Sequence, residues 1–332
     1  MKQVKPKKSL GQHFLTDLTI ARRIADTVDA CPDIPVLEIG PGMGVLTQFL
    51  ITKPREVAAV EIDRESIAYL RQHFPQFATP LPTGATGVFR AATDVAVAPQ
   101  RGANPPFATE GGQGVRLLSG DFLRMDLRNL FGGKQFVLTG NYPYDISSQI
   151  FFKMLDNRDL IPCCTGMIQR EVALRMAAQP GSKTYGILSV LIQAWYDVEY
   201  LFTVEPSVFN PPPKVQSAVI RMTRNNVSSL GCDEQLFRRI VKTVFNQRRK
   251  MLRVSLRQLL CADAINALQT SLTIPLPTGE GSGVGFTSLP KGEGALSTLH
   301  SPLSTLLTLR PEQLSIPQFV DLTNHIAPLL TP

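Results

Sequence analysis

The chain lacks several features that mark disulfide-rich, metal-binding and membrane proteins. Its 332 residues include five cysteines, an odd number with no C-x-x-C pair, which argues against a disulfide framework and a zinc site. No apolar run approaches about eighteen residues and no long apolar segment follows the basic N-terminus, so neither a membrane span nor a secretory signal is predicted. We therefore expect a cytoplasmic, metal-free protein with these cysteines in its core: Cys31, Cys163, Cys164, Cys232 and Cys261.

An excess of acidic residues is also absent. Lys and Arg number 34 against 27 Asp and Glu, giving a formal charge of +7 and a pI near 9.3, which favours a polyanionic partner. Between residues 221 and 260, ten basic residues stand against two acidic ones, a local balance of +8. Apolar residues recur there at helical spacing, so we predict helices with one packed face and one basic face. That basic face is either simply solvated or in contact with nucleic-acid phosphates.

A glycine-rich turn follows the first predicted buried strand. Residues 36–39 are apolar apart from Glu38, and Gly40, Gly42 and Gly44 let the backbone approach a ligand. The next apolar strand ends at Glu61, about twenty residues after the first glycine, where nucleotide-binding α/β folds place an acid on a ribose diol. A dehydrogenase would show a similar pattern. The spacing G-x-G-x-G and the absence of a histidine after a strand argue against that alternative.

Two further strand ends supply polar groups of a kind that base methylation requires. Residues 115–118 lead to Asp121, an acceptor for the adenine of a cofactor, and residues 136–138 lead to Asn141-Tyr142-Pro143-Tyr144. The Asn141 carbonyl and a neighbouring main-chain carbonyl can accept both hydrogens of an exocyclic amine and favour a pyramidal nitrogen. Tyr144 offers an apolar face for a base taken out of its stack. The alternative is a strand that ends in a proline turn with tyrosines as packing residues.

The chain resembles the ribosomal RNA adenine dimethyltransferase family over nearly its whole length. The resemblance is carried by motifs in the family order: Ser9-Leu10-Gly11-Gln12-His13-Phe14-Leu15, Glu38 to Gly44, Glu61-Ile62-Asp63, Gly120-Asp121-Phe122, Asn141-Tyr142-Pro143-Tyr144 and Asn246-Gln247-Arg248-Arg249-Lys250. It implies S-adenosylmethionine as methyl donor and dimethylation of two adjacent adenosines near the 3′ end of small-subunit (16S) ribosomal RNA. The expected partner is the immature small ribosomal subunit, bound by a monomer.

The resemblance also implies an α/β fold in two domains. Residues 1–224 are expected to form a doubly wound, Rossmann-like class I methyltransferase domain, and residues 225–332 a smaller helical RNA-binding domain. Two segments rich in small residues and proline, about 78–114 and about 275–305, have the composition of flexible loops and lie where the family has short connections. We predict that both are insertions.

Site residues follow from the matched motifs. The family's cofactor-contact positions are His13, Leu15, Gly40, Gly42, Glu61, Asp121 and Asn141. Asn141, Pro143 and Tyr144 occupy its target-amine positions. Phe209 either stacks on the opposite face of the base or anchors the proline-rich loop to the core. Arg248, Arg249, Lys250 and Lys214 are expected to contact RNA.

One departure from the family pattern and two alternatives accompany this interpretation. Tyr142 stands where many family members have leucine, and we expect its ring to pack in the core. A large-subunit dimethyltransferase of the antibiotic-resistance type shares the same catalytic motifs, although the basic helices favour small-subunit RNA. A ribosome-assembly factor whose methylation is dispensable is an alternative from another class.

Overall fold

The computed structural model describes residues 6–7, 12–77, 114–270 and 303–330. Residues 9–11 of the first motif and most of both predicted insertions lie outside these ranges. The chain forms two compact units: Met1–Ala177 with Trp195–Asn226, and Ala178–Ala194 with Val227–Pro332. The break after Asn226 lies close to the predicted boundary at residue 224. The assignment of Ala178–Ala194 to the second unit was not predicted.

A seven-stranded mixed sheet forms the centre of the first unit. Its strands are β2 (Val36–Ile39), β3 (Val57–Glu61), β4 (Val115–Ser119), β5 (Val137–Gly140), β6 (Cys163–Gln169), β7 (Tyr196–Val204) and β9 (Ser217–Arg224). Their order is β4-β3-β2-β5-β6-β9-β7. The first five run parallel, whereas β9 lies antiparallel to both β6 and β7. This arrangement confirms the predicted α/β class.

The parallel strands form where apolar residues run without interruption, because strands covered on both faces bury every side chain. All four residues of β2 and all five of β3 are buried. Five helices accompany these strands: α1 (Leu18–Asp26), α2 (Thr47–Leu50), α3 (Arg64–His73), α4 (Ser147–Asp156) and α5 (Arg170–Met176). Asp17 and Asp63 cap the amino ends of α1 and α3 with their carboxylates, which fixes where these helices begin.

A separate two-stranded ribbon joins distant parts of the first unit. Strand β1 (Phe14–Leu15) pairs antiparallel with β8 (Phe209–Asn210), and Leu15 faces Phe209 in the register. Leu15 and Phe209 are buried in the same apolar cluster as residues of α1 and β6. The ribbon therefore attaches the N-terminal segment to the core.

Helices build the second unit. The described ones are α6 (Ile187–Gln193), α7 (Glu234–Asn246), α8 (Leu252–Ser255), α9 (Ala262–Thr270), α10 (Leu303–Thr308) and α11 (Ile316–Leu330). The predicted apolar face of α7 is confirmed, since Phe237, Ile240, Val241 and Val244 are buried. Phe237 also packs edge-on against Phe319 of α11. Within the described residues, no helix combines the length and the apolar character needed to cross a membrane.

The expectation for the cysteines was partly wrong. Cys31 and Cys163 form a disulfide, with their Cα atoms 5.8 Å apart and a sequence separation of 132. An odd cysteine count cannot reveal such a pair, because the fold brings the end of the segment after α1 against β6. Cys164 is a free buried thiol as expected, but Cys232 is only partly buried and Cys261 is exposed.

Candidate active site

The carboxyl ends of β2, β3, β4 and β5 open into one pocket of the first unit. Gly40, Glu61, Asp121 and Asn141 line it, each from a different strand end. Parallel strands place their carboxyl ends at the same edge of a sheet, and ligands of open α/β sheets bind there. The N-terminal segment contributes further lining residues, including His13 and Leu15. The structure thus brings together all the residues predicted to contact the cofactor.

The glycine turn is shaped by conformations that other residues adopt at a cost. Gly40, Gly42 and Gly44 have φ angles of 66°, 57° and 77°, in the left-handed region. A Cβ atom at Gly42 would lie 3.1 Å from the Phe14 ring. The Gly42 N–H donates to Glu61 Oε2 at 3.0 Å, so this turn and the end of β3 are joined directly.

Glu61 is held as an acceptor at the pocket wall. Its Oε1 accepts the main-chain N–H groups of Ile62 and Asp63, both at 2.9 Å. Only 4% of Glu61 is exposed, and this burial raises its carboxyl pKa in spite of the three N–H groups it accepts. A carboxylate has about four acceptor sites. Oε2 therefore retains capacity for a hydroxyl donor such as a ribose diol.

A second carboxyl group, that of Glu38, lies buried at the same pocket. The Thr47 hydroxyl donates to Glu38 Oε2 at 2.7 Å. Burial raises the pKa of Glu38 to about 8, and the nearby Glu61 charge adds to the shift. Glu38 is therefore largely protonated at neutral pH, which avoids two uncompensated negative charges beneath the glycine turn.

Asn141 is oriented by the N-terminal segment. Its Nδ2 donates to the His13 carbonyl oxygen at 3.2 Å, which directs the amide so that Oδ1 is left as an acceptor. Within the described residues, no group donates to Asn141 Oδ1 or to the carbonyl oxygen of Tyr142. The Pro143 carbonyl, by contrast, accepts the Ile146 N–H at 3.3 Å. Two adjacent acceptors thus remain at the pocket.

The two tyrosines of this motif have different environments. Tyr142 is 1% exposed, and its hydroxyl donates to the Thr165 carbonyl at 2.9 Å, so the predicted packing role is confirmed. Tyr144 is partly buried and lines the pocket together with Pro143. Its hydroxyl forms a hydrogen bond with that of Ser217, and its ring lies 5.6 Å from that of His13, centroid to centroid.

Phe209 does not take part in the pocket in this structure. Only 4% of it is exposed, and its side chain packs in the apolar cluster that also contains Leu15 and Val219. Its place among the pairs of the β1–β8 ribbon explains the burial. The interpretation of Phe209 as a stacking partner for the base is therefore not supported here, whereas the alternative, an anchor for the proline-rich loop, fits this geometry.

The predicted RNA-contact residues lie outside the pocket and differ in exposure. Lys214 of the first unit is exposed, as are Arg249 and Lys250 of the second. Arg248 is partly buried instead: its guanidinium donates to the Ser182 carbonyl at 3.3 Å and lies 3.8 Å from a Glu312 carboxylate oxygen. Arg248 is thus committed to contacts within its own unit.

The chain is similar in sequence to proteins of a known family. The family model for ribosomal RNA adenine dimethylase matches residues 3–81 and 106–278, most of the chain. The chain belongs to this family. Family membership makes it an S-adenosylmethionine-dependent methyltransferase. The interruption between residues 81 and 106 in the family match falls inside the first predicted insertion.

Two relatives of high identity are both named ribosomal RNA small subunit methyltransferase A. The protein of Bacteroides thetaiotaomicron is 53% identical over 326 residues, covering 98% of this chain and 96% of that protein. The protein of Flavobacterium johnsoniae is 46% identical over 265 residues, covering 80% and 88%. Both alignments span most of each partner.

Solved structures of low identity share the fold. A dimethyladenosine transferase from Plasmodium falciparum superposes with a TM-score of 0.63 at 21% identity, covering 95% of this chain and 98% of that one. The 23S rRNA methyltransferase ErmE gives a TM-score of 0.55 at 22% identity, covering 94% and 99%. At such identities the likeness supports the class I methyltransferase fold of this family member and nothing finer.

Several pocket residues of this dimethylase were not singled out from sequence. Ile62 and Phe122 line the pocket, and each directly follows an acidic residue that was predicted to contact the cofactor. That position is a usable signal, because the residue after a strand-end acid lies at the same edge. Ser217 gave no such signal, since it is 73 residues from its partner Tyr144. In the described part of the chain, no cluster of three or more His, Cys, Asp or Glu side chains is placed to hold a metal ion.

Proposed function

We propose that this enzyme transfers methyl groups from S-adenosylmethionine to the N6 atoms of two adjacent adenosines near the 3′ end of small-subunit ribosomal RNA. The observation that carries the proposal is Asn141, whose side chain is oriented by His13 so that its Oδ1 remains an acceptor in the pocket that also holds Glu61. Identity of 53% to small-subunit methyltransferases supports the choice of RNA.

The pocket offers hydrogen-bond acceptors that suit the cofactor. Glu61 Oε2 accepts hydrogen bonds from the ribose hydroxyls, and Asp121 at the end of β4 accepts one from the adenine amine. Gly40 and Gly42 keep the turn open to the methionine portion, because a side chain on either would need a strained backbone. His13 and Leu15 cover the cofactor from the N-terminal segment. When bound, S-adenosylmethionine supplies a methyl group activated by its positively charged sulfur.

The target amine is held by two acceptors. Asn141 Oδ1 accepts one amine hydrogen. The Tyr142 carbonyl accepts the other, since the Pro143 carbonyl already receives the Ile146 N–H and proline has no N–H of its own. Both contacts favour a pyramidal nitrogen with its lone pair available to the methyl donor. Tyr144, fixed through its hydroxyl by Ser217, presents its ring to the adenine.

RNA binding is assigned to the exposed basic residues. Arg249 and Lys250 of the second unit, together with Lys214 of the first, contact phosphates. Arg248 supports the fold of its own unit and adds positive charge to the same segment. The monomer acts in the cytoplasm on an immature small subunit, because adenosines that must enter a pocket have to be accessible before the particle is complete.

The test is transfer of labelled methyl from S-adenosylmethionine to immature small subunits, with large-subunit RNA and DNA as parallel acceptors and the modified nucleoside identified by mass. Dimethyladenosine in small-subunit RNA, lost in Asn141→Ala, is the expected result. Label confined to large-subunit RNA would assign the enzyme to the resistance type. Tight subunit binding by wild type without any label would favour an assembly factor.

A further inference from the structure

Two exposed basic residues of the first unit flank the place where β6 pairs with the start of β9. Arg170 follows directly after β6, and its main-chain N–H donates to the Gln216 carbonyl at 2.9 Å. This bond continues the antiparallel register in which Gln169 faces Ser217. This bond joins Arg170 to the segment that contains Lys214, two residues before Gln216, although the two basic residues are 44 positions apart in the chain. Both are exposed.

This pair is connected to the catalytic motif through Ser217. Ser217 comes directly after Gln216, and its hydroxyl forms the hydrogen bond that fixes Tyr144. Strand β6 makes a second connection, since the Met167 carbonyl accepts the Tyr142 N–H at 3.0 Å. The segments that carry Arg170 and Lys214 are therefore linked directly to Tyr142 and Tyr144, which are assigned to the adenosine.

The two positive charges are not neutralised by the acidic residues nearest to them in the chain or by hydrogen bonding. Glu171 pairs with Arg175 at 2.7 Å, and Glu205 accepts the Gln216 side-chain amide at 2.8 Å. Within the described residues, neither Arg170 nor Lys214 forms an ion pair. Val215, beside Lys214, is 46% exposed. Two cations without ion pairs among the described residues, with an exposed apolar side chain next to one of them in the chain, suit a phosphate backbone and the sugar or base attached to it.

We infer that Arg170 and Lys214 form a phosphate-binding surface that holds the RNA nucleotides flanking the target adenosine. A base that leaves its stack must be held by its backbone on either side, and these two residues belong to the segments that position Ser217, the hydrogen-bond partner of Tyr144. The inference rests on the proposed function. It adds to the basic residues of the second unit a contact on the catalytic unit itself, with a positioning role in the reaction.

The experiment compares Arg170→Gln, Lys214→Gln and the double variant with wild-type enzyme on small ribosomal subunits. The matched control is Lys134→Gln, because Lys134 is also exposed but precedes β5, at the end of that strand opposite Asn141. Each variant is measured for cofactor affinity by calorimetry, and for kcat and KM toward subunits between 50 and 300 mM salt. Conservative exchanges, Arg170→Lys and Lys214→Arg, test whether charge alone suffices.

We expect the double variant to bind cofactor normally and to raise the KM for subunits by about tenfold, with a salt dependence shallower by roughly 0.7 to 0.9 per lost phosphate contact. The conservative exchanges should bring the KM most of the way back to the wild-type value. Lys134→Gln should have the same KM and salt dependence as wild type. A double variant whose KM and salt slope equal those of the control would overturn the inference. The proposed function would still stand in that case, provided that the wild-type enzyme methylates the subunits. Absence of methyl transfer by wild type would instead remove the proposed function.

Discussion

Glu61 accepts three main-chain N–H groups with one carboxylate, and this arrangement makes it difficult to replace even by its amide. In Glu61→Gln one acceptor oxygen becomes an NH₂ donor that faces N–H groups, so at least one hydrogen bond is lost together with the acceptor for the ribose. We expect the dissociation constant for S-adenosylmethionine to rise at least about tenfold, which corresponds to about 1.4 kcal/mol. Calorimetric titration measures it.

The control for this substitution is Glu171→Gln, which makes the same chemical change on an exposed side chain paired with Arg175. It should leave cofactor affinity unchanged. If Glu61→Gln bound the cofactor as tightly as wild type, the ribose assignment would be wrong.

The raised pKa of Glu38 predicts how the free energy of unfolding changes with pH. Its pKa is raised to about 8 by burial in the folded protein, whereas an unfolded glutamate titrates near about 4.3. Between these values the folded state keeps a proton that the unfolded state has lost, so the free energy of unfolding falls as pH rises through this window. Glu38→Gln removes this titration and keeps the acceptor for Thr47.

We therefore expect the stability of Glu38→Gln relative to wild type to increase from pH 5 to pH 8 and to level off above it. One pKa unit corresponds to about 1.4 kcal/mol, so a shift of several units gives a change on the order of 2 kcal/mol or more. Thermal or denaturant unfolding across this range measures it. A difference between variant and wild type that does not change with pH would show that Glu38 is ionised in the fold.

Among elements, the N-terminal segment depends on contacts beyond its short strand. Lys7 Nζ lies 2.6 Å from Asp63 Oδ1, at the N-cap of α3, and 3.1 Å from Glu65 Oε1, in the first turn of that helix. Burial alone would raise the pKa of Asp63, but the hydrogen bonds from Lys7 and Ser66 outweigh it, and the pKa is lowered. Lys7 is thus an electrostatic attachment between the N-terminal segment, which contributes lining to the pocket, and the start of α3, directly after Glu61.

Removal of this attachment should affect the cofactor more than the fold. Asp63 keeps its hydrogen bonds from Ser66 and the Glu65 N–H when the solvent-accessible Lys7 is removed, so Lys7→Ala should scarcely change the melting temperature. The dissociation constant for S-adenosylmethionine should rise by up to about fivefold at low salt, and the difference should shrink at 0.5 M salt because exposed charges are screened. Lys53→Ala, which removes an ion pair with Asp26 and Asp29, is the control. An effect independent of salt would contradict this role.

Sequence predicted the elements that depend on local patterns and missed those that depend on distant contacts. Strands β2 to β5 and the apolar face of α7 were predictable because apolar runs and helical spacing lie within a few residues. The β1–β8 ribbon contains only two residues per strand, so no periodicity marks it. Its pairing buries Phe209, which local motif reasoning had left between a stacking role and an anchoring role.

The same distinction holds for the site. Gly42, Glu61, Asp121 and Asn141 were predictable because each follows a recognisable strand and the strand ends converge by topology. The partners that orient them were not: His13 is 128 residues from Asn141, and Ser217 is 73 from Tyr144. The Cys31–Cys163 disulfide joins equally remote positions. Residue identity at a strand end is local information, whereas side-chain orientation is supplied by the whole fold.

At the scale of the whole molecule, the basic segment contains residues in two different environments. Arg249 and Lys250 are exposed, while Arg248 contacts Ser182 and Glu312 within the second unit. We expect Arg249→Gln with Lys250→Gln to lower RNA affinity and reduce its salt dependence by roughly 0.7 to 0.9 per phosphate contact, without change in melting temperature. Filter binding at several salt concentrations, with unfolding scans in parallel, measures both quantities.

Arg248→Gln should behave in the opposite way. Loss of its partly buried guanidinium leaves the Ser182 carbonyl and the Glu312 carboxylate without their cation. Loss of a hydrogen bond to a charged group costs about 1.5 to 3 kcal/mol, so its melting temperature should fall while the salt slope of RNA binding changes little. The pair of results separates a residue that holds the second unit together from residues that meet RNA. Equal loss of salt dependence in Arg248→Gln, with unchanged stability, would show that all three basic side chains contact phosphates.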